Sequence, residues 1–491
     1  MTATAAPPLE VTAPSGRRPR VTGRWLGPLA VTALGGVLRF NELGRPHAFV
    51  FDETYYAKDA LSLLTFGYER GFVDKADKKI LGSDGVIDPT WFTDSASFIV
   101  HPPVGKWLIG LGESVAGATP LGWRLAVAIL GTLTILLVAR AVLRMTGSAL
   151  WCTVAGLLMA IDGMAIVMSR TAVLDGILTF FVVAAFACLL VDRDWARAGR
   201  TAGYWWRPWR WLAAVSLGLA CGVKWSGIWF VAAFCVMTVL WDVGRRARGS
   251  RWWTTLLRSA GPAALTMVPL ILVVYLVSWT GWFLSDSAWD RQWNDSGGVV
   301  AALSSLLHYH SEMWTFHNGL TSDHSYKSSA FGWLFQARPT SFFYEDPGGC
   351  DSGQCSQAVT ALGNPLIWWA GVLALLHQAW RWVAHRDWRS GAVLGAVTAG
   401  WVPWLLFPDR TIFSFYAVVI IPFVIMALTL SLASFVRPDE RPGRDLRLRV
   451  SLAALFLLAC VVVSAFFYPI WSAEVIDYAT WSQRMWLPTW V

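Results

Sequence analysis

Two adjacent carboxylates, Asp52 and Glu53, stand in the tract FVFDETYYAKDA, just after the first apolar segment of the chain. Such a pair has two readings. One is a helix start, with Asp52 capping the first turn and Glu53 facing the positive end of the dipole. The other is general-base work by a carboxylate at a membrane surface, on a substrate presented from the lipid. Apolar Phe49, Val50 and Phe51 before the pair, and Tyr55, Tyr56 and Lys58 at helical spacing after it, favour catalysis.

The next candidates are cations. In HPPVGKW the two prolines make a rigid corner, and His101 and Lys106 beside them are candidate site groups. Arg124, in LGWRLA, either snorkels to headgroups or binds a lipid phosphate. Arg170 and Asp175 follow in SRTAVLDGIL, where a pair would tie two helix ends together, and Asp162 lies within the apolar run before them. Lys224, in GVKWSG, has no local acid; a phosphate or a distant carboxylate such as Asp175 would satisfy it. Arg410, beside Asp409 in PDRTIFSFY, is a second cation for the same anionic ligand.

A stretch dense in His, Ser and aromatics, HYHSEMWTFHNGLTSDHSYKSS, holds His308, His310, His317 and His324. Its spacings put at most two histidines on one helical face, so no metal site is expected. Aromatics interleaved with polar groups suit a sugar or a peptide equally well. Cys350 and Cys355 in GGCDSGQCS fit a disulfide across a tight loop, with a zinc pair the weaker reading. Asp192-Arg193-Asp194 resembles the acid-x-acid element of nucleotide-sugar enzymes. It sits amid Arg197, Arg200, Arg207 and Arg210 and reads as a solvated loop, which speaks against a cytosolic nucleotide-sugar site.

Long apolar helices must position these groups. The 491 residues are 55% hydrophobic and only 15% charged, with 32 tryptophans and a mean hydropathy of +0.47. That excludes a disordered chain and a disulfide-rich secreted scaffold, and leaves too few charges to coat several soluble globules. Apolar stretches of membrane-crossing length recur, about eleven of them. They run approximately over 25–40, 122–143, 149–168, 171–191, 211–222, 226–243, 260–283, 362–383, 391–407, 412–436 and 450–468. The pair flanking Lys224 can also be read as one interrupted segment. Arginines crowd alternate connecting segments, so the positive-inside rule sets the N-terminus in the cytoplasm. The net charge of +8 then reports membrane orientation and lipid headgroups, with no nucleic acid needed.

This organisation gives a disordered cytoplasmic tail over 1–24 and a membrane domain over 25–468. Two long extracytoplasmic loops follow, over 41–121 and 284–361, and an extracytoplasmic tail over 469–491. The fold class is an all-α polytopic membrane protein of the cell membrane.

Taken in order, FDETYYAKDA, HPPVGKW, WRLAVAILGTLTILLVAR, SRTAVLDGILTFF, GVKWSG and DHSYKSS resemble the protein O-mannosyltransferase family, from the first span to about Phe415, in what looks like an actinobacterial form. The resemblance implies a GT-C glycosyltransferase fold and, as donor, a polyprenyl-phosphate-linked mannose presented outside. The acceptors are Ser or Thr hydroxyls of secreted or membrane proteins, taken during Sec export in one version, with membrane lipids as the surroundings. Asp52 becomes the catalytic base and Glu53 its partner. Arg124, Lys224 and Arg410 become donor-phosphate groups, and Tyr55, Tyr56, His101, Lys106, Arg170, Asp175, His324 and Tyr326 organise the acceptor or the site. The transfer is a single inverting displacement without a metal or other cofactor. Two departures stand out: the large soluble insert of eukaryotic members has no room in 284–361, and RTIFSFYAVVIIPF lacks their His-Tyr motif, which bears on Arg410 and Tyr416. The alternatives are a GT-C enzyme acting on a lipid or lipoglycan, and a transporter or flippase with Asp162, Asp175 and Lys224 as a charge relay.

Overall fold

A computed structural model describes residues 23–201, 203–245, 251–350, 353–436 and 444–491. Most of the proposed 1–24 tail, and Arg246, Arg248, Arg437 and Arg441 of the basic segments, lie outside the described residues.

Every apolar segment of the sequence forms helix. In chain order they are α1 (Gly23–Phe40), then α2 (Glu53–Phe66), α3 (Ala76–Leu81) and α4 (Val104–Ala116) of the first loop, then α5 (Pro120–Thr146), α6 (Ala149–Ile161), α7 (Gly163–Val167), α8 (Leu174–Arg197), α9 (Pro208–Val223), α10 (Gly227–Gly244) and α11 (Trp252–Ser278). The second loop holds α12 (Thr280–Leu284), α13 (Gly298–Gly319) and α14 (Ala330–Trp333), after which come α15 (Pro365–His385), α16 (Trp388–Trp401), α17 (Ile421–Phe435), α18 (Arg444–Phe467) and the short α19 (Tyr478–Ser482). Five of these, α5, α8, α10, α11 and α18, are each long and apolar enough to cross a membrane by length and composition. The chain is a mostly helical, multi-pass membrane protein. Lys224, Trp225 and Ser226 separate α9 from α10, so the segments flanking Lys224 are two helices.

Local chemistry sets the breaks. Thr119 caps α5 through Gly122 N with Pro120 in the first turn, and Gly147 ends it in the left-handed conformation. The third apolar segment is interrupted at Asp162, which caps α7 through Ala165 N and also accepts from Asn364 N and Trp368 Nε1. That is a structural junction between α7 and α15, with no free carboxylate for a relay. Buried arginines serve helix ends in the same way: Arg39 donates to the Met159 and Ala160 carbonyls at the end of α6, and Arg170 to Leu38, Arg39 and Asn41 at the end of α1.

Small strands supplement the helices in the two loops and the C-terminal tail. In the first loop β1 (Arg70–Phe72) pairs antiparallel with β2 (Phe92–Ala96). In the second, β3 (Thr340–Glu345) and β4 (Cys355–Ala361) form a hairpin, and β5 (Val475–Asp477) from the tail adds beside β4. The tail therefore folds on the same face as the second loop. Cys350 and Cys355 are joined as a disulfide with Cα atoms 5.5 Å apart, inside the usual range.

The Asp192-Arg193-Asp194 tract is a correction to the sequence reading. It lies in the last turns of α8, with Asp192 and Arg193 buried. Arg207 and Arg210 at the start of α9 bind Asp192 and Asp242, and Ser259 bonds Asp242 at 2.6 Å. The charges are neutralised against one another, which is why a run of acids and arginines is buried where a solvated loop is expected.

Candidate active site

The two acids of the opening motif have opposite surroundings. Glu53 is fully buried, and its carboxylate accepts four hydrogen bonds of 2.8 Å: Nε and Nη2 of Arg124, Val50 N and Ala172 N. Those four fill its acceptor capacity. Arg124 is equally committed, with its remaining donors on the carbonyls of Leu43, Pro46 and Ala48. No N–H is left for a lipid phosphate, so the donor-phosphate expectation for Arg124 is corrected. The expectation of a catalytic Glu53 is corrected for the same reason: this ion pair pins the start of α2 against α5 and the turn before α8.

Asp52 sits at the N-cap position of α2, yet its side chain makes no capping hydrogen bond. It is half-buried. Burial pushes its carboxyl up to about 6, the Lys224 cation opposes that rise, the Asp175 carboxylate adds to it, and a hydrogen bond from Tyr56 lowers it again. Phe51, next to it, holds a left-handed φ of 53°, unusual for an aromatic residue. Phe342, at 4.7 Å between ring centroids, and Phe413 and Phe415 clamp the Phe51 ring, so the backbone that aims Asp52 is fixed by aromatic packing.

Beside this corner opens a cavity of about 490 Å³. Helices α9, α10, α11 and α13 and the turn around Pro403 to Arg410 line it. One wall is apolar and continues to the outside of the bundle: Ile228, Trp229, Val268, Leu272, Trp314 and Phe407 line the cavity and are also exposed. The opposite end is cationic. Lys224 Nζ is 3.0 Å from both oxygens of Asp175 and 4.1 Å from the centre of the Tyr416 ring. Arg410 donates from Nε to His317 O at 3.1 Å and from Nη2 to His317 Nδ1 at 3.2 Å, while its buried Nη1 has no partner. His101 also lines the cavity, with its ring 5.1 Å from that of His317 and its Nδ1 unpartnered. Burial and the nearby Lys224, His317, Lys106 and Arg410 hold His101 well below the usual imidazole range, so it is neutral.

Sequence expectations divide accordingly. Lys224, Arg410 and His101 meet in the cavity, and Asp175 meets them by pairing with Lys224, the distant carboxylate anticipated for it, and not with Arg170. Tyr56 reaches Asp52. Tyr55 is 64% exposed and lines nothing there. Arg170 is spent on helix-end carbonyls. Lys106 turns into the first loop, 2.9 Å from Asp59 and 3.7 Å from Glu69. His324 and Tyr326 do not line the cavity; His324 lies against the aromatic clamp on Phe51, edge-on to Phe413 at 4.9 Å. Gly105 of the HPPVGKW tract lets α4 approach α8, since a Cβ there would meet Leu174 at 2.5 Å; that contact helps place His101.

Two wall residues escaped the sequence reading. Tyr275 of α11 receives Trp225 Nε1–H at 3.0 Å and donates to His310 at 2.7 Å. The signal was a phenol inside an apolar span, where a buried hydroxyl needs a partner. His317 appeared only as one of four histidines. Those four have separate neighbours: Asp290 for His308, Tyr275 for His310, Arg410 for His317 and the Tyr326 amide for His324.

Comparison with known proteins adds an independent line. Residues 102–285 match the family described as dolichyl-phosphate-mannose-protein mannosyltransferase, and residues 302–490 match the C-terminal four TMM region of protein-O-mannosyltransferase. The polyprenol-phosphate-mannose--protein mannosyltransferase of Mycolicibacterium smegmatis is 37% identical over 95% of this chain and 93% of its own. That of Mycobacterium tuberculosis is 35% identical over 98% and 95%. Among solved structures, the S. cerevisiae protein O-mannosyltransferase Pmt1-Pmt2 complex bound to the sugar donor superposes with a TM-score of 0.74 at 14% identity, covering 95% of this chain and 92% of the other. The fold is thus shared at low identity.

Proposed function

The chain belongs to the protein O-mannosyltransferase family and is a glycosyltransferase, and from that premise we propose that it moves mannose from a polyprenyl-phosphate-mannose donor to Ser or Thr hydroxyls of protein acceptors. The observation that carries the reading is Asp52: a carboxylate free of capping duty, held by a constrained backbone, beside a cavity that is cationic at one end and open to lipid along its side.

The polyprenyl chain lies along the apolar wall of α10 and α11, and its phosphate meets Arg410 Nη1 and Lys224 at the closed end. A guanidinium N–H with no protein partner, in a buried site, suits an anion that arrives with the substrate. The acceptor hydroxyl attacks the anomeric carbon from the Asp52 side. An O–C bond forms, the bond from that carbon to the phosphate oxygen breaks, and the hydroxyl proton passes to Asp52. The electron pair leaves on polyprenyl phosphate, a leaving group of low basicity that needs no proton, and Arg410 and Lys224 stabilise its growing charge. One displacement turns a β-linked donor into an α-linked product. The scheme is metal-independent because fixed cations supply the electrostatics.

The topology that goes with this reading places the loops over 41–121 and 284–361 and the tail over 469–491 outside the cell membrane, around a catalytic domain over 25–468, with the N-terminus inside. Acceptors are then met as they emerge, during Sec export or after it. Tyr326 and His324, next to the aromatic clamp on Phe51, and Tyr56 beside Asp52 face the acceptor.

Purified protein in liposomes, given radiolabelled polyprenyl-phosphate-mannose with either a Ser/Thr-rich peptide or a glycolipid acceptor, tests the proposal. The expected result is α-mannosyl peptide, formed equally well with a chelator present. Label found only in the lipid acceptor, or a β-linked product, would overturn it.

A further inference from the structure

His317 is bonded in a way that admits one protonation state. Its Nε2 is 2.7 Å from Val100 O, an atom that can only accept, so Nε2 carries the proton. Its Nδ1 is 3.2 Å from Arg410 Nη2, a group that can only donate, so Nδ1 is the bare acceptor. The ring is a neutral imidazole stretched between a carbonyl and a guanidinium. Burial, Arg410 and Lys224 together hold it down at about 4, which agrees with the assignment made from the partners alone.

The same residue takes a second bond from the same guanidinium, since Arg410 Nε donates to His317 O at 3.1 Å. Two of the three nitrogens of Arg410 are therefore set by one residue, and the third, Nη1, is left buried and unpaired. A planar group held at two nitrogens has its remaining N–H directions fixed. The anchor is stiff, because Thr411 N bonds Leu320 O at 3.0 Å and Ser328 N bonds Ile412 O at 2.9 Å, fastening the irregular segment after α13 to the turn that carries Arg410. We propose that His317 is a positioning residue, which presents Nη1 of Arg410 to the donor phosphate by accepting from Nη2 while its own Nε2–H is tethered to Val100. The inference rests on the reading above, in which Arg410 contacts that phosphate.

Conservative replacements separate positioning from mere fastening. In His317→Asn the amide oxygen takes the place of Nδ1, keeping the acceptor for Arg410 and losing the tether to Val100. In His317→Gln the amide nitrogen takes the place of Nε2, keeping the tether and losing the acceptor. Steady-state kinetics on the full-length protein in liposomes, with polyprenyl-phosphate-mannose varied at saturating peptide and then the reverse, give both KM values. Positioning predicts that His317→Ala and His317→Gln raise the donor KM about tenfold or more with the peptide KM unchanged, and that His317→Asn brings it back to within about threefold of wild type. The opposite order, Gln rescuing and Asn not, would make His317 a tether of the Val100 turn and overturn the inference.

A double-mutant cycle decides the matter if a replacement perturbs folding. When His317 acts through Arg410, adding His317→Ala to Arg410→Ala costs little further donor KM, and additive increases would sink the idea. The underlying reading fails separately: Arg410→Ala with an unchanged donor KM would show that Arg410 does not touch the phosphate, whatever the His317 series does.

Discussion

Arg124 and Arg410 are both drawn from scarce charges on the loop-bearing face, yet what remains after the fold has used each is different. Arg124 meets a bidentate carboxylate and three carbonyls, and nothing is left over. Arg410 meets one residue twice and keeps a buried nitrogen unpaired at a cavity wall. Glu53 and Asp52 repeat the contrast one residue apart: four bonds to the first, a hydrogen bond from Tyr56 to the second. A saturated buried ion holds structure, because any ligand would have to break bonds already made. An unsaturated one bears a desolvation cost that only a ligand or a proton removes. Within these two pairs, saturation, more than residue type or place in a motif, separates scaffold from site.

Asp52→Asn tests this contrast with the largest effect. Its amide keeps the size of the side chain, so expression, membrane insertion and melting should stay near wild type, while mannosyl transfer falls by about 10²–10⁴-fold, the span for loss of a general base. Normal turnover by the variant would end the base assignment. Ionisation gives a second readout. A carboxyl at about 6 must lose its proton to act, so kcat/KM should be flat above that pH and fall about tenfold per unit below it.

Arg124→Ala should act on the other half of the comparison. It strips a buried carboxylate of its countercharge and costs stability of about 3–5 kcal/mol, seen as poor recovery from membranes or a collapsed melting transition. A well-folded Arg124→Ala protein with only its donor KM raised would erase the distinction between the two arginines. Arg410→Ala should do the reverse: a folded protein, with the donor KM raised about tenfold or more for a lost charged hydrogen bond and the peptide KM unmoved.

Much of this was legible beforehand. The apolar lengths located the long helices, five of them apolar enough to cross a membrane, though not the break at Asp162 that divides one segment into α6 and α7, and the scarcity of charge drew attention to Asp52, Lys224, Arg410 and His101 in a long chain. What could not be read was saturation. That Glu53 finds Arg124 across 71 residues, or that Arg170 ends on the carbonyls of α1, depends on which helices become neighbours, and spacing along the chain is silent on that. The aromatic clamp on Phe51 draws Phe342 and Phe413 from distant segments, so it too follows from the bundle. His317 was hidden for a related reason: its meaning lies in two partners, Val100 and Arg410, far from it in sequence.

The intermediate case lies in the first loop and should give the smallest effect. Lys106 is shared by two acids, at 2.9 Å from Asp59 and 3.7 Å from Glu69, and Glu69 Oε1 has no hydrogen-bond partner. One cation cannot neutralise both, so burial raises the Glu69 carboxyl from 4.5 to about 7, with Lys106 opposing and Asp59 adding to the rise. A folded-state value above the unfolded one means that the native loop binds this proton more tightly. The stability it contributes is complete below about 4.5 and is lost as the pH rises through about 7. Glu69→Gln imitates the protonated form at every pH. Melting of the purified proteins between pH 5 and 8 should therefore show the variant gaining on wild type as the pH rises, by about 1 kcal/mol per pH unit up to about pH 7, with the donor KM untouched because Glu69 does not line the cavity. A constant difference across that range would mean that Glu69 is ionised throughout and that Lys106 satisfies both acids, moving this cluster to the saturated side with Glu53 and Arg124.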